Sequence, residues 1–282
     1  MKERVIVAVI AIPVLFIVIM VLPPWVLGAV VGAAAACCAW EFLRVTEREI
    51  SPRIPAYASV SAFLIPFLTV FYYENYWVPQ VMLFLLFAVM FSELMLSFRR
   101  KTTMEFETVA VALLCGGVMP LLLSGIIRIG QRTDGLGRIY ALLPFVFSFS
   151  SDIFAYLVGT ALGRHKLTPR LSPHKTLEGS AGAFVGSIVV GVLFGVIVRA
   201  YGHTVNLAVI GVYGFFGSMA AQLGDLSFSA VKRLFNVKDY GNLIPGHGGM
   251  LDRCDSIIWT AMLLELLAAW VPAIQASNGF GA

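Results

Sequence analysis

Three aspartates have the types and spacing for chemistry at a membrane. Asp225 follows twenty uncharged residues, Val205–Gly224, and lies inside an apolar run. A carboxylate at membrane depth costs about 2.5–3.5 kcal/mol on insertion scales, so its retention points to function. Read as a helix, the segment sets Ser229, Lys232 and Arg233 at i+4, i+7 and i+8, on the face of Asp225. Such a stripe of both signs implies a wet cavity. Asp252 and Asp255 are three apart and share a face of the next helix. Two carboxylates there, with Asp225 nearby, would repel strongly without a cation. Between them runs Lys238-Asp239-Tyr240-Gly241-Asn242-Leu243-Ile244-Pro245-Gly246-His247-Gly248-Gly249. Its glycines let backbone amides approach a ligand, and amides with nearby cations suit phosphate. Hard oxygen ligands beside such a loop favour Mg2+, held by Asp225, Asp252 and Asp255. The plainer readings are an Asp225 that reaches headgroups and an Asp252 that caps a helix. A cap explains the Asp-x-x-Asp pair less well.

A second polar segment, Gly163–Gly179, is basic. It contains Ser172-Pro173-His174-Lys175-Thr176-Leu177-Glu178-Gly179. A basic loop touching lipid headgroups is the simplest account of it. The mixture of hydroxyls, a cation, a carboxylate and a glycine ahead of a helix suits a nucleotide better. Asp152 and Tyr156 lie one turn apart on the preceding helix. Asp152 reads either as a second intramembrane polar ligand or as a partner for Lys175.

The elements that must position these residues are membrane spans. Of 282 residues, 59% are hydrophobic and 13% charged, against about 25% charged in soluble domains. With a mean hydropathy of +0.86, this excludes a soluble globule and a disordered chain. The four cysteines, two of them adjacent, show neither zinc spacing nor a disulfide framework. Nine apolar runs are long enough, or nearly so, to cross a bilayer: Val5–Leu22, Trp25–Trp40, Ile54–Tyr73, Val78–Phe98, Thr108–Ile127, Ile139–Leu162, Gly179–Val198, Val205–Phe235 and Ser256–Val271. Their length excludes strands of a membrane barrel. Pro23, Pro24 and Trp25 make a poor cleavage site, so the first run reads as a span.

With the N-terminus in the cytoplasm, nine crossings place sixteen basic residues inside. Only Arg128, Arg132, Arg138 and Arg199, of 20 in all, fall outside. The net charge of +4 thus reports topology and attraction to anionic lipid, with no nucleic-acid partner implied. The expectation is an all-α polytopic integral membrane protein of about nine transmembrane helices. Residues 1–104 form an N-terminal membrane region, 105–165 a middle one, and 166–282 a catalytic region with two cytoplasmic loops.

The run from Ser229 through Lys232-Arg233, Lys238-Asp239-Tyr240-Gly241 and Ile244-Pro245-Gly246-His247-Gly248-Gly249-Met250-Leu251-Asp252-Arg253-Cys254-Asp255 closely resembles the signature of the phosphatidate cytidylyltransferases, or CDP-diacylglycerol synthases, of bacterial type. Asp152 and the Ser172–Gly179 segment also fit. Cys254 departs from the branched apolar residue or Phe expected there. The resemblance covers about residues 105–282; the first hundred match only as apolar spans.

The resemblance implies transfer of the cytidylyl group of CTP to phosphatidate, giving CDP-diacylglycerol and pyrophosphate. It assigns catalytic roles to Asp225, Lys232, Arg233, Lys238, His247, Asp252, Arg253 and Asp255. Asp152, Ser172, Lys175, Thr176, Glu178, Ser229, Gly248 and Gly249 would bind substrate. Both reactants are anionic, so Mg2+ and the basic residues would bring them together. The attacking phosphate is already ionised, which makes His247 a phosphate donor rather than a base. The family further implies a monovalent cation such as K+ beside Mg2+, and a bacterial inner-membrane location with the site open to the cytoplasm. A homodimer is expected from the resemblance and from Gly- and Ala-rich faces on the last spans. Rival readings are a related lipid-nucleotide enzyme (a CDP-archaeol synthase or a polyprenol kinase) and an ion-coupled transporter.

Overall fold

A computed structural model describes residues 2–46, 51–72, 75, 77–100, 104–132, 135–243 and 248–275, with the side chains of residues 2–10 and 100 excepted. The chain forms two compact units. The first comprises Met1–Arg128 with Lys232–Cys254, and the second Ile129–Val231 with Asp255–Ala282.

The first unit begins with α1 (Lys2–Met20), α2 (Pro24–Thr46), α3 (Arg53–Phe71) and α4 (Trp77–Arg100). Helix α2 runs six residues past Trp40, where the apolar run ends, and packs along α3. The fifth apolar run is not one smooth helix. It divides into α5 (Phe106–Leu113), a π-helical turn (Leu114–Val118), α6 (Met119–Leu123) and α7 (Gly125–Gly130). Pro120 removes an amide from the ladder, and the π turn absorbs the mismatch. Gly116 lets this turn lie against the α3 backbone, since a Cβ there would come within 2.8 Å of Ala58 Cα.

The second unit holds α8 (Gly137–Leu162), α9 (Leu177–Ala200), α10 (Leu207–Leu234) up to Val231, and α11 (Leu251–Trp270) from Asp255. Hydroxyl pairs join its helices: Ser148 with Thr260 at 2.9 Å, Ser150 with Ser187 at 3.1 Å and Ser151 with Ser218 at 3.0 Å. In apolar surroundings such pairs satisfy each other and fix register. Asn206 caps α10 by accepting from Ala208 and Val209 N–H at 3.1 and 3.2 Å.

The all-α multi-pass class agrees with these helices. Among the described residues, seven helices are long and apolar enough to cross a membrane. The described side chains of α1 cover only Ala11–Met20. Helix α11, with Asp252, Arg253, Asp255 and Glu265, is not among the seven. Short strands also occur. The basic loop between α8 and α9 folds into an antiparallel hairpin, β1 (Lys166–Thr168) with β2 (Ser172–Thr176). A second small pair joins β3 (Thr204–Val205) to β4 (Ile274–Gln275).

Candidate active site

In the second unit, the hairpin delivers Lys175 to α10. Thr176 ends β2 in extended conformation and caps α9, its hydroxyl accepting from Gly179 N–H at 3.1 Å. Glu178, in the first turn of α9, reaches back over the hairpin. Its Oε2 accepts the Arg164 and His165 amides at 3.1 and 3.2 Å, and its Oε1 lies 2.7 Å from His165 Nδ1. Glu178 therefore staples the loop that carries Lys175. Ser172 opens β2 opposite Thr168.

The Lys175 ammonium forms an ion pair with Asp225 Oδ2, each side chain 28% exposed. Ser229, one turn along α10, donates to Asp225 Oδ1 at 3.2 Å. The sequence left Asp152 open as a partner for Lys175, whereas the pairing found for Lys175 is with Asp225. Asp152 itself lies on the exposed face of α8. Gly224, just before Asp225, lies on α11, where a Cβ would come within 2.5 Å of Asp255 O. The second unit thereby sets the backbone of α10 at Asp225 beside that of α11 at Asp255. Asp255 is buried, and its Oδ1 accepts Ser256 N–H at 2.7 Å.

The first unit contains a second lysine–aspartate pair. Helix α10 ends beyond Lys232 with Asn236 in the left-handed region at φ 55° and Val237 N–H donating to Lys232 O at 2.9 Å. Lys232 Nζ donates to Asp252 Oδ1 at 2.7 Å, with side-chain exposures of 13% and 5%. Asp252 Oδ2 accepts Tyr240 and Gly249 N–H at 2.9 and 3.1 Å. Asp252 thus ties down both flanks of the glycine segment. Gly248 has φ 86°, a conformation that favours glycine. Arg233, Lys238 and Arg253 are exposed. His247 lies outside the described residues.

Glu41 of α2 was missed by the sequence reading. Its carboxylate accepts the Met250 and Leu251 amides at 3.1 and 2.9 Å. No local pattern marks it, because its partners lie more than 200 residues along the chain.

Within neither unit do three or more His, Cys, Asp or Glu side chains, among the described residues, gather closely enough to hold a metal. Mg2+ usually takes one or two carboxylates, substrate phosphates and water rather than an all-protein cage. Asp225, with the Ser229 hydroxyl beside it, supplies hard oxygens of that kind. Repulsion between the carboxylates was the reason to expect a cation. In this structure Lys175 and Lys232 each supply a positive charge to one of them.

The first unit thus holds a buried, amide-bound aspartate beside a glycine segment, and the second an open lysine–aspartate pair carried by a basic hairpin. The cytidylyltransferase family model matches residues 2–271, and the chain belongs to that family. It is 38% identical over 169 residues to the phosphatidate cytidylyltransferase of Bacillus subtilis, covering 60% of this chain and 61% of that relative. It is 35% identical over 191 residues to that of Staphylococcus haemolyticus, covering 68% and 71%. It is 42% identical over 159 residues to the chloroplastic phosphatidate cytidylyltransferase 5 of Arabidopsis thaliana, covering 54% and 39%. The matched stretch is less than two thirds of the length of the first of these relatives. None of the three names favours a polyprenol kinase or an ether-lipid synthase.

Proposed function

We propose that the chain transfers the cytidylyl group of CTP to phosphatidate, releasing pyrophosphate and leaving CDP-diacylglycerol in the membrane. The observation that carries this reading is the open Lys175–Asp225 pair, in a chain whose named relatives are phosphatidate cytidylyltransferases. Paired with each other, the two side chains present opposite charges at one place. A nucleotide bound with its divalent cation matches both: phosphate oxygens suit the ammonium, and the cation suits the carboxylate.

Asp225 and Asp255 are the carboxylates for Mg2+, with Ser229 beside Asp225. Asp252, one helical turn before Asp255, is the third carboxylate in the proposal. Mg2+, with K+ as a companion cation, would neutralise the triphosphate and the leaving pyrophosphate. Lys175 and Lys232 serve different phosphates, Lys232 those at the reacting centre, while Arg233, Lys238 and Arg253 draw anionic substrates toward the helix ends. His247 donates a hydrogen bond to phosphate. Thr176 and Glu178 hold the hairpin against α9, Ser172 meets substrate from the hairpin, and Gly248 admits phosphate to the backbone. Asp152 contributes from α8. No strong base is needed, because a phosphate monoester is ionised at neutral pH.

The same reading places the protein in a bacterial inner membrane as a homodimer with nine spans. Its N-terminus and both polar segments face the cytoplasm. Single cysteines in Arg164–Glu178 and Lys232–Arg253 should resist an impermeant thiol reagent in intact cells; labelling of both would refute this topology. For the activity, purified protein in detergent would receive cytidine-labelled CTP, Mg2+ and phosphatidate. Label extracted with lipid supports the transferase. Label reaching lipid only from the nucleotide γ-phosphate would make it a kinase.

A further inference from the structure

The glycine segment is fastened from a helix whose sequence looks merely apolar. Glu41 is 7% exposed. Its two oxygens accept Met250 and Leu251 N–H, amides at the start of α11 where a helix has no internal acceptors. A carboxylate there also meets the positive end of the helix dipole.

Two glycines make room for it. A Cβ on Gly241 would overlap Glu41 Oε1, and one on Gly249 would lie 2.5 Å from Oε2. Neither is among the glycines with positive φ, so space, not backbone conformation, requires glycine at both. Phe42, the next residue on α2, stacks on Tyr240 with ring centroids 5.7 Å apart and planes at 17°. Tyr240 in turn donates its amide to Asp252.

We propose that Glu41 is a positioning residue for nucleotidyl transfer. Through the Met250 and Leu251 amides, and by seating against Gly241 and Gly249, its carboxylate sets the flanks of the glycine segment and so the place of Asp252 and its partner Lys232. It touches no substrate. The kinetic arm of the test rests on the transferase reading; the structural arm does not.

Glu41→Gln keeps the size but puts an NH2 where one backbone N–H needs an acceptor. Hydrogen exchange of the Met250 and Leu251 amides should quicken about tenfold or more, since one donor is left unsatisfied. Helix α3 should exchange as before. The kcat for CDP-diacylglycerol formation should fall about tenfold or more, with both KM values and the thermal midpoint little changed. A double-mutant cycle adds a second check. Gly241→Ala should be disruptive in the wild-type background, yet add little once Glu41→Ala has removed the carboxylate it would strike. Unchanged exchange at Met250 and Leu251 in Glu41→Gln would overturn the proposal, as would an equal cost of Gly241→Ala in both backgrounds. If the wild-type protein forms no CDP-diacylglycerol, the transferase reading fails, and the exchange data still decide the role of Glu41.

Discussion

The two lysine–aspartate pairs are built in opposite ways. Lys232–Asp252 is largely enclosed, at 13% and 5% exposure. Its carboxylate also takes two backbone amides, and Glu41 holds the next two amides along. Lys175–Asp225 is more open, at 28% for both side chains. Beyond the ammonium, Asp225 accepts a hydrogen bond from the Ser229 hydroxyl. A buried charge needs every partner it has, because an uncompensated one is costly. A more open pair is held less tightly and can exchange partners at lower cost. The first pair is therefore a frame and the second a receptor.

The largest effect should come from breaking the frame. Lys232→Met leaves the Asp252 carboxylate buried with amides alone. It should lower stability by about 3 kcal/mol, the lower part of the range for a broken buried pair. Thermal unfolding in detergent measures this. Lys175→Met should stay within about 1 kcal/mol of wild type in the same experiment. Comparable losses for the two would erase the distinction.

Next in size is Asp225→Asn, which should cut turnover about a hundredfold and flatten the Mg2+ dependence while the protein stays folded and inserted. Near-wild-type turnover at low Mg2+ would remove Asp225 from the metal proposal.

Much of the receptor was legible in the sequence. Asp225 announces itself by its depth in an apolar run, and Ser229 follows from helix spacing. Asp252 and Asp255 are visible as a pair three apart. Their partners are not, since each is set by tertiary packing. The hairpin that carries Lys175 to Asp225 reads in sequence as a basic loop. Glu41 sits one residue past the Trp25–Trp40 run and looks like the interfacial end of a span. Only the continuation of α2 to Thr46, packed against the start of α11, brings it to Met250 and Leu251. The break in the fifth span was signalled by Gly116, Gly117 and Pro120, yet hydropathy alone passes over it.

Steady-state kinetics of Lys175→Met and Lys232→Met, with CTP and phosphatidate varied separately, test the division into receptor and frame most directly. Methionine keeps an apolar stem and removes the charge. Lys175→Met should raise KM for one substrate by about tenfold with kcat little changed, and Lys232→Met should act mainly on kcat. Equal losses in kcat, with both KM values unchanged, would contradict the account and put both lysines at the reacting phosphates.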